Sequence, residues 1–284
     1  MKVKRDHIEF EVASGYFRGL WESINEYRWE EETFSIIDQF VSSEDVVLDL
    51  GCSVGPFTLY AAHIAKQVIA MDPDPIMFEV LDKNLELNHL LQQKVIPLKM
   101  ALMPHSGEFA LYAREQYGAS SSSILARVRD KEKGLKVAGI SLLDLMGKTS
   151  NDRLDFIKMD IEGGEFVLLP ELLPAIQQLD FPTILIAFHY IHLRESMYLK
   201  KLGWRMLSLI GMKIEDRMGI IFFRKSIIRA IRTAIEPLRH YPFIYTHKGE
   251  LLNFEKLENN PLIIKNSDLL ATKFRWKSSG TSEQ

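Results

Sequence analysis

The stretch VVLDLGCSVGPFTLYAA, Val46 to Ala62, decides how the chain is to be read. Four apolar residues and one acid, Val46 to Leu50, have the composition of a strand covered on both faces. They run into Asp49-x-Gly51-x-x-x-Gly55, and a helical pattern follows. Glycine at such a turn lets backbone approach a ligand closely, and the helix behind it begins with N–H groups that have no intrahelical partner. A strand, a glycine turn and a helix in that order make a binding loop.

Outward from this loop, the same alternation continues. Strand candidates recur at Gln67 to Met71, Lys94 to Lys99, Leu154 to Met159 and Thr183 to Phe188, with helical patterns between them. Repeated βα units predict a doubly wound α/β fold with a mostly parallel sheet. The helix expected from Pro75 to His89 has Asp74 to cap it, Pro75 in its first turn, and Met77, Val80, Leu81 and Leu85 on one face. Ahead of the first strand, Tyr16 to Phe40 sets Trp21, Ile24, Trp29, Phe34, Ile37 and Phe40 among glutamates, the pattern of one or two amphipathic helices. These form a cap over the sheet edge or a lid over the substrate. Past Gly203, Trp204 to Ile210 and Gly219 to Phe223 are strand candidates, Lys225 to Leu238 reads as a helix, and Phe243 to His247 and Leu269 to Phe274 as final strands. Gly118 to Ser123 (GASSSS) reads as a flexible loop, and the tail from Lys277 as disordered.

Composition narrows the classes of function. The 284 residues carry 35 Lys+Arg against 38 Asp+Glu, so no global basic field suggests nucleic-acid binding. No apolar run reaches the length that spans a bilayer, and the start has no apolar h-region, so neither a membrane span nor a signal peptide is expected. One cysteine makes no internal disulfide, which points to a reducing, cytoplasmic setting. The small net charge conceals an asymmetry. Residues 1–48 hold five basic and eleven acidic side chains, whereas Arg224 to His240 hold five basic and one acidic. The basic amphipathic stretch is expected to pack into the core or a homodimer interface, with an acidic-substrate lid or a membrane-surface contact as alternatives.

Three chemistries compete for the glycine loop. A nicotinamide fingerprint needs glycines where this chain has Ser53 and Pro56. A serine hydrolase is suggested by Gly51-Cys52-Ser53-Val54-Gly55, with Asp160 and His189 in the right order, but that fold needs several strands ahead of its nucleophile. The third is a nucleoside site for S-adenosylmethionine. The next strand ends in Asp72, 23 residues after Asp49, where a carboxylate accepts protons from both ribose hydroxyls. The loop has no Lys or Arg, as suits a cofactor without phosphate.

With LDFIKMDIEGGEFVLL, Leu154 to Leu169, the chain resembles the FkbM family of methyltransferases. The matching residues are Lys158, Asp160, Glu162, Gly163, Gly164 and Glu165. Further matches follow in family order: Asp72 to Pro75, Asn84 to Asn88, Met100-Ala101-Leu102 with Gly107, Ser121 to Leu125, Ser141 to Asp144, and His189. Two departures stand out. Cys52-Ser53 replaces the usual small residue and asparagine, and no glutamate stands two positions before His189. The resemblance implies the seven-stranded sheet of class I methyltransferases and O-methylation of a hydroxyl on a sugar, glycan or secondary metabolite. The expected division is an N-terminal cap over 1–44, a methyltransferase domain over 45–276 that includes the basic segment 224–240, and a tail over 277–284.

Together, loop and resemblance give the expected cofactor contacts: Asp49, Gly51, Cys52, Ser53, Gly55, Phe57, Asp72, Pro73, Ala101, Leu102 and Asp160. For chemistry, Asp160, Glu162 and His189 stand at neighbouring strand ends. The expectation is that the two acids orient cofactor and acceptor while a near-neutral His189 acts as general base. No metal is expected, although two acids and a histidine are able to hold a divalent ion. A capping role for Glu165 is the competing assignment for that acid. A binding protein that retains the fold without catalysis is the alternative to an enzyme.

Overall fold

The computed structural model describes residues 1–113, 116–118, 121–126, 134–198 and 215–276. The expectations for Trp204 to Ile210 and for the tail lie outside the described residues.

Strand β3 (Val46–Leu50) is buried along its whole length. Val46, Leu48 and Leu50 enter the apolar cluster on one face of the sheet, and Val47 enters the cluster on the other. That is the physical reason its sequence shows no alternation. Parallel neighbours flank it: β4 (Gln67–Met71) and β5 (Val95–Leu98) on one side, β9 (Phe156–Met159) and β10 (Thr183–Ile186) on the other. Three antiparallel strands, β11 (Phe243–Thr246), β12 (Leu251–Leu252) and β13 (Leu269–Thr272), extend the sheet to the order β12-β11-β13-β10-β9-β3-β4-β5. The expected seven strands are there, with two-residue β12 added at the edge. The chain leaves β3 toward β4 and later returns beside β3 as β9, so the connections diverge at the carboxyl end of β3. Crevices at such switch points are where open α/β sheets bind ligands.

Helices α3 (Pro56–Ile64) and α4 (Pro75–Glu86) cover one face, and α6 (Leu142–Thr149) and α7 (Glu165–Gln178) the other. Asp74 caps α4, its Oδ1 accepting from the backbone N–H groups of Ile76 and Met77. A second sheet, β6 (Ala101–Leu102), β8 (Leu135–Ile140) and β7 (Gly107–Leu111), was not anticipated from the sequence. Nor was the hairpin of β1 (Lys2–Arg5) and β2 (Ile8–Glu11) that precedes α1 (Arg18–Asn25) and α2 (Glu31–Phe40). Its buried Val3, Ile8 and Phe10 join the same cluster as Trp21, Phe34 and α3.

Two asparagines fasten this N-terminal layer. Asn84 donates to Val54 O (2.8 Å) and accepts from Ala13 N (2.8 Å), while Asn88 accepts from Glu11 N (2.9 Å) and donates back to Glu11 O (2.6 Å). The Asn84 to Asn88 motif therefore ties glycine loop, α4 and N-terminus together.

Gly219 to Phe223, expected as a strand, lies in a helix, α9 (Glu215–Ile235). In its described part Ile227, Ile231, Ala234 and Ile235 are buried in the cluster that holds α7, with Lys225, Arg229 and Arg232 outside. The basic amphipathic segment thus does the work of core packing. No helix among the described residues is long and apolar enough to cross a membrane.

Candidate active site

A cavity of about 320 Å³ opens at the carboxyl ends of β3, β4 and β9. It collects nearly every residue singled out from the sequence: Asp49, Gly51, Cys52, Ser53, Phe57, Asp72, Pro73, Ala101, Leu102, Asp160, Glu162 and His189 all line it. Gly55 does not. It starts α3 at φ +93°, and a Cβ there would lie 2.6 Å from Leu81 Cδ1, so its glycine serves a turn packed on α4. The requirement at Gly51 also differs from expectation. A Cβ at this residue, φ +77°, would sit 1.9 Å from the carbonyl oxygen of Asp160, so the neighbouring strand end fills the space assigned to a ligand.

One end of the cavity is organised by Asp72. Its Oδ2 accepts from Ser53 N (2.9 Å) and its Oδ1 from Asp74 N (2.8 Å), which fixes the carboxylate against the glycine loop. Burial pushes its pKa up to about 7, more than these two N–H groups pull it down. Asp74 then holds the GASSSS segment: its Oδ2 accepts from Gly118 N (3.0 Å) and Ser122 Oγ (2.8 Å). The described part of that segment is bonded into the site, contrary to the flexible loop expected. Met77, Met100, Leu111 and Ile124 complete an apolar lining at this end.

The other end is ionic. Strand pairing sets Asp49 on β3 beside Lys158 on β9. Asp49 is fully buried; Thr58 Oγ1 donates to its Oδ2 (2.5 Å), and its Oδ1 has no hydrogen-bond partner. Lys158 Nζ lies 2.9 Å from Asp160 Oδ2 and 5.6 Å from the centre of the Phe57 ring. Burial disfavours the ammonium, but Asp160, Asp49 and Glu30 outweigh it and raise its pKa. Asp160 is held below the ordinary carboxylate range, since Lys158 and His189 overcome its own desolvation.

His189, just beyond β10, faces carboxylates on both sides. Nδ1 is 3.0 Å from Glu165 Oε1; Nε2 is 3.4 Å from Asp160 Oδ1 and 3.7 Å from Glu162 Oε2. Burial works against its charged form, yet the bond to Glu165 and the three carboxylates raise the pKa to about 10. These carboxylates favour the imidazolium, which argues against the near-neutral base expected of His189. Glu165 does cap its helix, Oε1 accepting from Ile161 N (3.0 Å), and the same oxygen meets His189. Glu162, at φ +54°, has His192 Nε2 3.2 Å from Oε2, and its carbonyl accepts from Ser123 Oγ (2.5 Å). Nδ1 of His189 is bonded to Glu165 and Nε2 faces Asp160 and Glu162, while Ser53 Oγ faces Met77 Sδ at 3.8 Å, so the hydrolase arrangement is not formed.

The model of the methyltransferase FkbM domain matches residues 49–206. The chain belongs to the FkbM methyltransferase family. Among curated proteins the chain is similar to the hexuronic acid methyltransferase AglP of Haloferax volcanii, 24% identical over 168 residues, 58% of this chain and 65% of that one. It is similar also to the tRNA (guanine(37)-N(1))-methyltransferase Trm5b of Methanocaldococcus jannaschii, 45% identical over 58 residues, 20% of this chain and 17% of that one. The match thus spans less than two thirds of the length of either relative. A solved structure of methyltransferase FkbM from Methylobacillus flagellatus is 20% identical, with a TM-score of 0.37, covering 59% of this chain and 38% of that one.

Sequence reasoning missed Leu20, Trp29 and Glu30, which line the FkbM cavity from the N-terminal layer, and Ser122 and Ile124 from the serine-rich segment. Trp29 belongs to the amphipathic stretch Tyr16 to Phe40, expected as a cap over the sheet edge or a lid over the substrate. No motif marks Leu20, Trp29 and Glu30, whose place depends on how the N-terminal layer docks, whereas Ser122 and Ile124 lie in the stretch Ser121 to Leu125 already matched to the family.

Proposed function

We propose that the chain methylates a hydroxyl of a sugar, glycan or secondary metabolite, with S-adenosylmethionine as donor, and that a uronic-acid saccharide is the first acceptor to test. The observation that carries this is the two-ended cavity: an apolar end marked by the Asp72 carboxylate, joined to an end where Asp160, Glu162 and His189 converge. The residues fit the cofactor on structural grounds. Asp49 Oδ1, buried in the wall without a partner, suits an ammonium donor. Asp72 has lone pairs left for two ribose hydroxyls, and among the described lining residues the one lysine or arginine, Lys158, is paired with Asp160. The similarity to a hexuronic acid methyltransferase supports the choice of acceptor.

S-adenosylmethionine, when bound, supplies a methyl group on an electrophilic sulfonium. The protein's work is then alignment and water exclusion. Asp160, fixed by Lys158, accepts a hydrogen bond from an acceptor hydroxyl and orients it. Glu162 takes the hydroxyl proton, with His192 beside it as the route onward. His189 holds the two acids in register and takes no proton itself.

The test is mass spectrometry of glucuronic- and galacturonic-acid saccharides incubated with the enzyme and methyl-labelled cofactor. A labelled methyl ether is expected. Tight cofactor binding with no methylated product from uronic acids, neutral sugars or small polyols would instead identify a non-catalytic nucleoside-binding protein.

A further inference from the structure

We propose that Asp160, Glu162 and His189 form a binding site for one octahedral divalent cation of the Mn²⁺ or Mg²⁺ type, its open positions facing the cavity. One ligand atom from each side chain lies within 4.8 Å of the other two. The Nε2 of His189 is 3.4 Å from Asp160 Oδ1 and 3.7 Å from Glu162 Oε2. Both exceed the ~2.8 Å of a charge-assisted hydrogen bond. An ion with bonds of about 2.1 Å sets adjacent ligands about 3 Å apart, so the two histidine distances must close by about 0.4 to 0.7 Å.

The support behind the histidine has the form that metal sites use. A ligating imidazole commonly gives its far N–H to a carboxylate, which fixes the ring and its tautomer. Here Glu165, fully buried, takes Nδ1 at 3.0 Å, and a backbone N–H from Ile161 anchors the same oxygen. Nε2 is thereby turned toward the two acids, and an ion bound there displaces the proton that Nε2 otherwise carries, releasing it to solvent.

Two separate observations point to a missing cation. Asp49 and Glu165 are both 0% exposed, and each keeps one carboxylate oxygen, Asp49 Oδ1 and Glu165 Oε2, with no hydrogen-bond partner. Asp49 stands in the wall of this cavity. Around this end, moreover, Asp49, Asp160 and Glu162 line the cavity and Glu165 stands behind His189, so among the described lining residues Lys158 and His189 are the two cationic groups that meet four carboxylates. Burying that much like charge is costly unless cations balance it. The cofactor's own positive groups meet part of this surplus, and a divalent ion meets the rest.

The consequence for the acceptor rests on the reading above with one change: Glu162 then serves as a ligand, and the ion's charge acidifies the bound hydroxyl, whose proton passes to solvent. An ion held by three protein ligands on one side leaves positions for two oxygens of the substrate. It would therefore select acceptors with adjacent oxygens, such as a vicinal diol or a hydroxyl next to a carboxylate, over isolated alcohols.

Metal binding is tested without any acceptor, by Mn²⁺ titration of the full chain followed by electron paramagnetic resonance, with and without S-adenosylhomocysteine. One Mn²⁺ per chain with Kd below about 1 mM is expected, competed by Mg²⁺. Glu162→Gln should weaken it at least tenfold while leaving S-adenosylhomocysteine affinity unchanged, which shows that the variant is folded. Glu165→Gln keeps the backbone contact and should weaken Mn²⁺ about tenfold by loosening the ring, at an unaltered unfolding temperature. No Mn²⁺ signal change at 1 mM, or equal affinity in wild type and Glu162→Gln, would overturn the site. The two proposals fail separately: turnover that survives EDTA dialysis removes the metal and keeps the methyltransferase, whereas Mn²⁺ binding without turnover does the opposite.

Discussion

Asp72 shows what burial does to a single carboxylate placed for recognition. Its ordinary pKa of 3.8 is raised to about 7 in the fold. Between those values the folded chain keeps a proton that the unfolded chain has lost, so this residue's contribution to stability declines as pH rises from about 4 to 7 and is level above. Asp72→Asn removes that dependence. The unfolding temperature of the variant relative to wild type should therefore be higher at pH 8 than at pH 5, read by scanning calorimetry across the range. The same titration predicts that cofactor affinity in wild type improves from pH 6 to 8, as the ionised carboxylate becomes available to the ribose. Gly51 is a second single-residue constraint. Gly51→Ala drives Cβ into the Asp160 carbonyl at a left-handed φ, and should cost about 2 to 5 kcal/mol by urea denaturation. Gly55→Ala meets only the tip of Leu81 and should cost less.

Among the elements, the asparagine clasp gives the most direct prediction. Asn84→Ala strips partners from Val54 O and Ala13 N, two backbone groups, at about 1 to 3 kcal/mol each. Hydrogen exchange should quicken at Ala13 and in the glycine loop together, not in one alone. The elements also explain what was legible beforehand. The parallel strands were readable because both faces are buried and turn residues bound the runs, as Gly51 does directly after Leu50. Gly219 to Phe223 was misread for the same reason, since a short apolar run of β-branched and aromatic residues carries no period to separate strand from helix. The opening hairpin did carry a signal, Val3, Ile8 and Phe10 alternating with charged residues, but its short strands were passed over. At the site, residues inside motifs were legible. His189's charge state was not, because it depends on Glu165, which comes to it from another element.

At the scale of the molecule, three parts of the chain meet in one cavity: the N-terminal layer through Leu20, Trp29 and Glu30, the strand ends through Asp49, Asp72 and Asp160, and the serine-rich segment through Ser122 and Ile124. The acidic front end is in this way part of the site. Ligand binding should accordingly slow hydrogen exchange in the N-terminal layer and at Ser122 and Ser123 in parallel, by linkage to the folded arrangement of all three. The central claim is that this cavity has a nucleoside end marked by Asp72 and a separate acceptor end marked by Glu162. Calorimetric titration of S-adenosylhomocysteine into wild type, Asp72→Asn and Glu162→Gln tests it most directly. The account predicts one site per chain, at least a tenfold loss for Asp72→Asn from weakened charge-assisted hydrogen bonds, and wild-type affinity for Glu162→Gln. Equal affinities for Asp72→Asn and wild type, or a loss in Glu162→Gln as large as in Asp72→Asn, would contradict it.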